Sequence, residues 1–198
     1  LALAVGIALP CSTPFWIISL HLILGVMTVA LVLLVGQWLG LERASIVAAL
    51  IVACDPILLY QSTLVMTETL ATFLSVLILV FMTRFSQQTT TLRAGLGGGS
   101  FALAALCRPT FLVAMLAGGL LLGVFAKTWR QWLGWFAAYV TATAMILSPW
   151  VVRNLIQFNT PIMTTTHGGY TLRLGNNPDF YRFLREGAWG EIWRAAVL

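Results

Sequence analysis

The chain has 198 residues, of which 60% are hydrophobic and 9% charged, and its formal net charge is +5. Soluble domains carry roughly 25% charged residues, so this chain has too few polar side chains to cover a globular surface in water. The composition therefore excludes an ordinary soluble domain and predicts an all-α polytopic membrane protein. The basic residues form no patch, and only one of them is a lysine. This distribution argues against nucleic acid as a partner.

The start of the sequence suggests a piece of a longer protein. It begins inside an apolar stretch, with no initiator Met and no basic region of the kind that opens a signal peptide. Part of the function is therefore expected to depend on residues outside this chain. The three cysteines (Cys11, Cys54 and Cys107) are far apart and have no metal-ligand spacing, so we expect no metal site from them and interpret them as buried thiols.

Apolar segments predict about six spanning or partly spanning helices, because a span needs about 20 apolar residues. In chain order these segments cover residues 16–40, 46–54, 63–82, 95–107, 110–126 and 132–150. Two of them, 46–54 and 95–107, are too short to cross a bilayer as plain helices. Residues 95–126 form either one kinked helix or a hairpin that turns at Arg108–Pro109. The hairpin is favoured, because proline disfavours helical geometry in the residue before it.

The sequence divides into a transmembrane region, residues 1–150, and an extracytoplasmic or interfacial segment, residues 151–198. The first region ends where Pro149 and Trp150 close the last apolar run. The tail after residue 178 is either an amphipathic helix on the membrane surface or a link to further chain.

Basic residues near the spans are divided unequally between the two membrane sides. Alternation of the spans places one group on the first side (Arg43, Arg84, Arg93, Lys127 and Arg130) and a smaller group on the second (Arg108 and Arg153). The positive-inside rule makes the first side cytoplasmic. Asp55 and Glu68 then join the second group at the extracytoplasmic face, which is where we predict the functional site.

Two acids and one arginine are the main candidates at that face. Glu68 and Asp55 are candidate catalytic carboxylates, since acids within membrane segments are costly to bury. Each has a structural alternative, which is to favour the start of the helix that follows. Arg108 stands where an apolar helix ends, and its planar guanidinium suits a phosphate or a carboxylate. Its alternative role is contact with lipid headgroups.

Further polar residues follow the last predicted span and are candidate substrate-binding residues. Arg153 and Asn154 come one turn after it, and His167, Asn176 and Asn177 lie in stretches rich in Gly and Asn. Gly and Asn are typical of turns, so these last residues have a structural alternative as well.

Three stretches together resemble a known family: DPILLYQSTLVMTETLATF (55–73), FALAALCRPTFLVAM (101–115) and SPWVVRNLIQFNTPIMTTTHGGYTLRLGNNP (148–178). Their order and spacing resemble the polytopic GT-C glycosyltransferases of glycosyltransferase family 39 and its bacterial relatives, which include protein mannosyltransferases and the aminoarabinose transferases of lipid A. The resemblance implies an integral protein of the bacterial inner membrane. It also implies a polyprenyl-phosphate sugar as donor, a glycan, lipid or protein as acceptor, and a divalent cation as a candidate cofactor. The family's best catalytic acid lies in a loop that this chain does not contain.

Two other functions stay open at this stage. A transporter or permease is expected to carry charged or broken-helix sites at mid-membrane in repeated halves. A noncatalytic membrane subunit is expected to use its polar loop only to dock a partner.

Overall fold

The computed structural model describes residues 13–64, 66–165, 173 and 175–187. Across these ranges the chain is helical and contains no β-strand. In chain order the helices are α1 (Thr13–Trp38), α2 (Glu42–Ala53), α3 (Pro56–Ser62), α4 (Glu68–Gln87), α5 (Thr91–Cys107), α6 (Phe111–Leu121), α7 (Trp129–Phe158) and α8 (Pro178–Glu186), with a 3₁₀ turn (Leu122–Phe125) after α6.

Three of the described helices, α1, α4 and α7, are long and apolar enough to cross a membrane. Helices α2 and α3 add a fourth span if this pair, bent by 48°, crosses as one unit. The predicted all-helical fold with candidate membrane-spanning helices is therefore confirmed, whereas the predicted count of six spans is not. The difference arises in the middle of the chain, where α5 and α6 have 17 and 11 residues, fewer than the roughly 20 that cross a bilayer.

The bend between α2 and α3 has a local cause. Pro56 carries no N–H to continue α2, and it occupies the first turn of α3, where a missing N–H costs nothing. The Asp55 carboxylate Oδ1 accepts hydrogen bonds from the backbone N–H groups of Ile57 at 2.8 Å and Leu58 at 3.0 Å. A new helix therefore begins in a new direction as soon as the first one stops.

The predicted hairpin at Arg108–Pro109 is confirmed. Arg108 has extended backbone angles (φ −142°, ψ 126°), as expected for a residue before proline. The two helices fold back on each other, because a Cβ built on Gly118 of α6 would lie 2.6 Å from the Phe101 ring of α5. Proline is favoured at the first position of a helix, which would start α6 at Pro109, but α6 begins at Phe111.

Glycines allow α5 and α7 to pack with their backbones in close contact. A Cβ built on Gly98 would lie 2.3 Å from the carbonyl oxygen of Tyr139. Thr143 on the next turn of α7 donates a hydrogen bond to the Gly98 carbonyl at 3.2 Å. The glycine-rich stretch 95–100 therefore serves helix packing, which is the main force that associates helices in lipid.

Helix α7 does not end at Pro149–Trp150, where the last apolar run of the sequence closes. Helix α7 continues through Pro149 to Phe158 and ends at Asn159, whose backbone is left-handed (φ 53°). A proline within a helix leaves the carbonyl four residues earlier without its donor, and here that carbonyl belongs to Met145. The Ser148 hydroxyl donates to it at 3.5 Å, so the helix continues. Arg153 and Asn154 consequently lie on α7.

The helices alternate in direction, so the charged residues collect at two ends of the bundle. At one end the Arg84 guanidinium lies 3.6 Å from the centre of the Trp38 ring, and Gln87 Nε2 donates to the Trp38 carbonyl at 2.9 Å. At the other end Arg108 pairs with Glu68. We call these the Trp38 end and the Glu68 end. Which of them faces the cytoplasm stays a prediction.

Labelling of single cysteines in intact cells is expected to establish the orientation. In the full-length protein, with its native cysteines replaced, cysteines at Thr63 and Gln157 should react with an impermeant maleimide, and a cysteine at Gln88 should react only after permeabilisation. All three positions are exposed, so burial does not limit the reaction. Asn154 is unsuitable because it is buried. Reaction at Gln88 alone would reverse the predicted orientation.

Candidate functional site

An ion pair joins the start of α4 to the end of α5. Arg108 Nη2 donates to Glu68 Oε1, and the side chains are 45% and 20% exposed, respectively. Glu68 is the first residue of α4, where the helix dipole favours a carboxylate. Arg108 is aimed at it by the extended backbone that Pro109 imposes. The structure thus brings together two of the predicted site residues, 40 positions apart in the chain.

The second carboxylate oxygen of Glu68 is the unusual atom of this pair. Oε2 is buried and has no hydrogen-bond partner within the described residues. A buried carboxylate oxygen without a donor costs free energy, so a ligand hydroxyl or a cation that reached it would be bound favourably. Arg108, which is more exposed, keeps further N–H groups for an anion. The pair therefore offers an acceptor and a cationic fork side by side.

Cys107 adds a second link between the same two helices. Its Sγ lies 3.7 Å from the carbonyl oxygen of Thr67, the residue before Glu68. A thiol is a weak donor, so this contact positions the helix ends and contributes little energy. Thr67 itself provides no side-chain cap for α4.

Asp55 is accounted for by its capping bonds to α3, which confirms the structural alternative for this residue. Both bonds use the same oxygen, Oδ1. A catalytic role for Asp55 stays a prediction, and the structure provides no contact that supports it.

Comparing two substitutions at Asp55 separates capping from catalysis. Asp55→Ala should lower the free energy of unfolding by about 1 kcal/mol, the usual cost of losing an N-cap. Asp55→Asn keeps the acceptor oxygen and should retain both stability and any transfer activity. Thermal unfolding of the purified protein measures the first effect and a product assay the second. A stable but inactive Asp55→Asn protein would restore the catalytic hypothesis.

Asn154 and Arg153 shape the Glu68 end from α7. Asn154 is 2% exposed; its Nδ2 donates to the Ile162 carbonyl at 3.0 Å, and its Oδ1 accepts from Arg153 at 3.0 Å. Nearby, the Trp150 indole N–H donates to the Thr164 carbonyl at 3.2 Å. Asn154 therefore holds the loop after α7 against the helix. Its predicted contact with substrate gains no support.

Arg153 lies at the same level of the bundle as Arg108. Helices α5 and α7 run in the same direction, since Gly95 lies beside Ala138 and Gly99, one turn further along α5, lies beside Ile146. Gly98 and Thr143 are 45 residues apart, and Arg153 follows Arg108 by the same number. Both arginines thus belong to the Glu68 end, with no direct contact between them recorded within the described residues.

The remaining predicted residues are further along the chain. His167 lies outside the described residues. Asn177 caps α8, since its Oδ1 accepts from the Asp179 N–H at 2.9 Å and Pro178 follows at the first helical position. Asn176 is exposed in the preceding turn. For Asn177 the structural alternative of turn chemistry is confirmed, and substrate contact stays a prediction for all three.

Two polar residues outside the predicted site are buried in the same half of the bundle. His21 on α1 is 7% exposed, and its Nδ1 bonds to the Ser62 carbonyl at 2.7 Å. Thr69, next to Glu68, is 8% exposed, and its hydroxyl has no hydrogen-bond partner among the residues that the structure describes. His21 thus links α1 to the end of α3. Thr69 gave no sequence signal, because threonines in membrane helices ordinarily bond their own backbone.

The described residues contain no group of three His, Cys, Asp or Glu side chains that could together hold a metal ion. A cation at this end would therefore take part of its coordination from elsewhere, such as a substrate phosphate. Comparisons with known proteins identified no relative: no protein-family model matches the chain, and neither a curated protein nor a solved structure matches it.

Proposed function

We propose that this chain is part of a membrane glycosyltransferase that moves a sugar from a polyprenyl-phosphate donor to an acceptor at the extracytoplasmic face. The observation that carries the proposal is the Glu68–Arg108 pair, placed where two apolar helices end. A lipid-linked donor keeps its chain in the bilayer and its phosphate at the membrane edge. Glu68 begins one apolar helix and Arg108 follows the end of another, so the pair would lie at such an edge.

The exposed part of the Arg108 guanidinium would bind the donor phosphate. Charge-assisted bonds from arginine to phosphate are strong and often bidentate. In the transfer, the bond between the anomeric carbon and the phosphate oxygen breaks, and negative charge grows on the leaving phosphate. A cation held in place there stabilises the transition state more than the ground state. Arg153, at the same end of the bundle on α7, would add a second positive charge there.

Glu68 Oε2 would accept the proton of the acceptor hydroxyl while the oxygen of that hydroxyl forms its bond to the anomeric carbon. Because Arg108 occupies only Oε1, the other oxygen keeps its lone pairs. A phosphate that competes for Arg108 would weaken the ion pair and leave the Glu68 carboxylate available to the acceptor hydroxyl. Carboxylates in this role typically contribute 10²- to 10⁴-fold to the rate.

A transfer assay on the full-length protein tests the proposal. With a polyprenyl-phosphate sugar in membranes, Arg108→Gln should lower the transfer rate about 10²- to 10³-fold, as loss of one charge-stabilising group does. The matched control is Arg43→Gln, an exposed arginine at the Trp38 end, which should leave the rate unchanged. Equal rates for the two variants would contradict the proposal.

Transport is a second candidate, because the bent pair of α2 and α3 resembles the discontinuous helices that form transporter sites. His21 contacts the end of the short helix α3 through the Ser62 carbonyl. Accumulation of a labelled solute in sealed vesicles that depends on His21 and not on Arg108 would favour transport over transfer.

A further inference from the structure

A cavity of about 410 Å³ lies between α1, the end of α2, α3 and α4. Its walls are mainly aliphatic, with a few polar side chains and one glycine. The residues that matter most are His21, Gly25, Leu58, Thr69 and Thr72. Binding pockets for small molecules usually measure roughly 300–1,000 Å³, so this cavity suits one compact ligand or one end of an aliphatic chain.

Thr69 is the one hydroxyl of this cavity without a hydrogen bond within the described residues. The others are engaged by their own helices: Thr28 donates to Leu24 at 2.7 Å, Ser62 to Leu59 at 2.7 Å and Thr72 to Glu68 at 2.9 Å, in each case to the backbone carbonyl. A buried hydroxyl without a partner is unfavourable. Thr69 therefore marks where a ligand oxygen would be bound.

His21 supplies the complementary group. Its Nδ1 lies 2.7 Å from the Ser62 carbonyl, and a carbonyl can only accept, so the proton is on Nδ1. In the uncharged ring the other nitrogen, Nε2, is then an acceptor. The cavity thus contains a hydroxyl that can donate and an imidazole that can accept, among apolar side chains.

We propose that this cavity binds an aliphatic alcohol, with the hydrocarbon chain among the apolar residues and the hydroxyl group between Thr69 and His21. An alcohol hydroxyl both donates and accepts, so it matches the two groups together. A carboxylate would meet no cation here, since the cavity is lined by neither arginine nor lysine. An alkane would leave Thr69 without a partner.

This site is separate from the proposed transfer chemistry. Neither Glu68 nor Arg108 lines the cavity, so occupancy can be measured without any sugar donor. Loss of transfer in Arg108→Gln and loss of alcohol binding in a cavity variant are therefore independent results.

Photolabelling of the full-length protein tests the assignment. The purified protein in phosphatidylcholine nanodiscs is labelled with a diazirine analogue of 1-decanol, and the labelled peptides are mapped. We expect labels on α1 and α4 beside the cavity. Unlabelled 1-decanol should compete about tenfold better than n-decane at equal concentration in the bilayer.

Two variants separate the role of the Thr69 hydroxyl from the role of the cavity volume. Thr69→Val should reduce the preference for decanol over decane to near unity, whereas the control Thr72→Val, whose hydroxyl is already bonded to the backbone, should retain it. Gly25→Leu should prevent labelling, because Gly25 lines the cavity and a leucine side chain there would occupy the space of the alkyl chain. A Cβ at Gly25 meets no atom within 4 Å, so the first carbon of that side chain enters without a clash. Circular dichroism checks that each variant is folded.

The results that overturn the proposal are equally specific. Competition by decane as strong as that by decanol would make the cavity a general site for lipid chains. An equal loss of selectivity in Thr69→Val and Thr72→Val would remove Thr69 from the site. Labels confined to other helices would place the alcohol elsewhere.

Discussion

Gly98→Ala is expected to lower the free energy of unfolding by about 2–3 kcal/mol, as overpacking of a close contact does. The added methyl group would lie 2.3 Å from the Tyr139 carbonyl oxygen and 3.0 Å from the Thr143 hydroxyl. The first neighbour is backbone, which cannot rotate away, so α5 and α7 must separate. Their separation would also break the hydrogen bond from Thr143 to Gly98.

The matched control is Gly95→Ala, one turn earlier on the same helix. Its Cβ would lie 3.6 Å from the Ala138 carbonyl oxygen, which is an ordinary van der Waals distance. This variant should be as stable as the wild type or slightly more so, since alanine favours helix by up to about 1 kcal/mol over glycine. Denaturation in mixed micelles, followed by circular dichroism, compares the two. Equal stability of both variants would mean that α5 and α7 do not pack as closely as described.

Arg108→Gln is expected to destabilise the protein more than Glu68→Gln, although both remove one charge of the same pair. Without Arg108, the Glu68 carboxylate keeps one oxygen buried without a donor and loses the partner of the other. Leaving such a group unsatisfied costs about 1–3 kcal/mol. Without Glu68, the more exposed Arg108 can turn to water or lipid headgroups. That loss should be below about 1 kcal/mol, as for exposed pairs.

The double variant provides the control. Glu68→Gln removes the buried charge that makes Arg108→Gln costly, so the protein with both substitutions should be more stable than Arg108→Gln alone. The same denaturation experiment on four proteins measures this coupling. Strictly additive losses would show that the two side chains do not interact, and the proposed phosphate site would then lose its main support.

Local rules account for the breaks that the sequence predicted correctly. Prolines at positions 56 and 109 stop a helix because each lacks an N–H group and restricts the residue before it. Asp55 provides the cap for the next helix in the same few residues. No distant contact is needed for either break, so both were predictable.

The same rule failed at Pro149, for a reason that composition does not reveal. There the Met145 carbonyl, which lacks its backbone donor, accepts a hydrogen bond from the Ser148 hydroxyl. Before the proline, α7 also packs against α5, where Thr143 donates to the Gly98 carbonyl. Continuation of a helix through proline depends on such packing. As a result, Arg153 and Asn154 lie on a helix and not in a loop as predicted. Asn154 is buried and bonds the loop that follows the helix.

The sequence by itself determined that this is a helical membrane protein, where two of its helices break, and which charges are unusual in an apolar chain. Those properties follow from composition and from neighbours along the chain. Only the tertiary structure decided that Glu68 pairs with Arg108 and that, within the described part of the chain, the buried Thr69 hydroxyl has no hydrogen-bond partner. The physical reason is that hydrogen bonds between helices depend on their register and rotation. Both are set by side-chain packing over the whole length of the helices and not by any local stretch of residues.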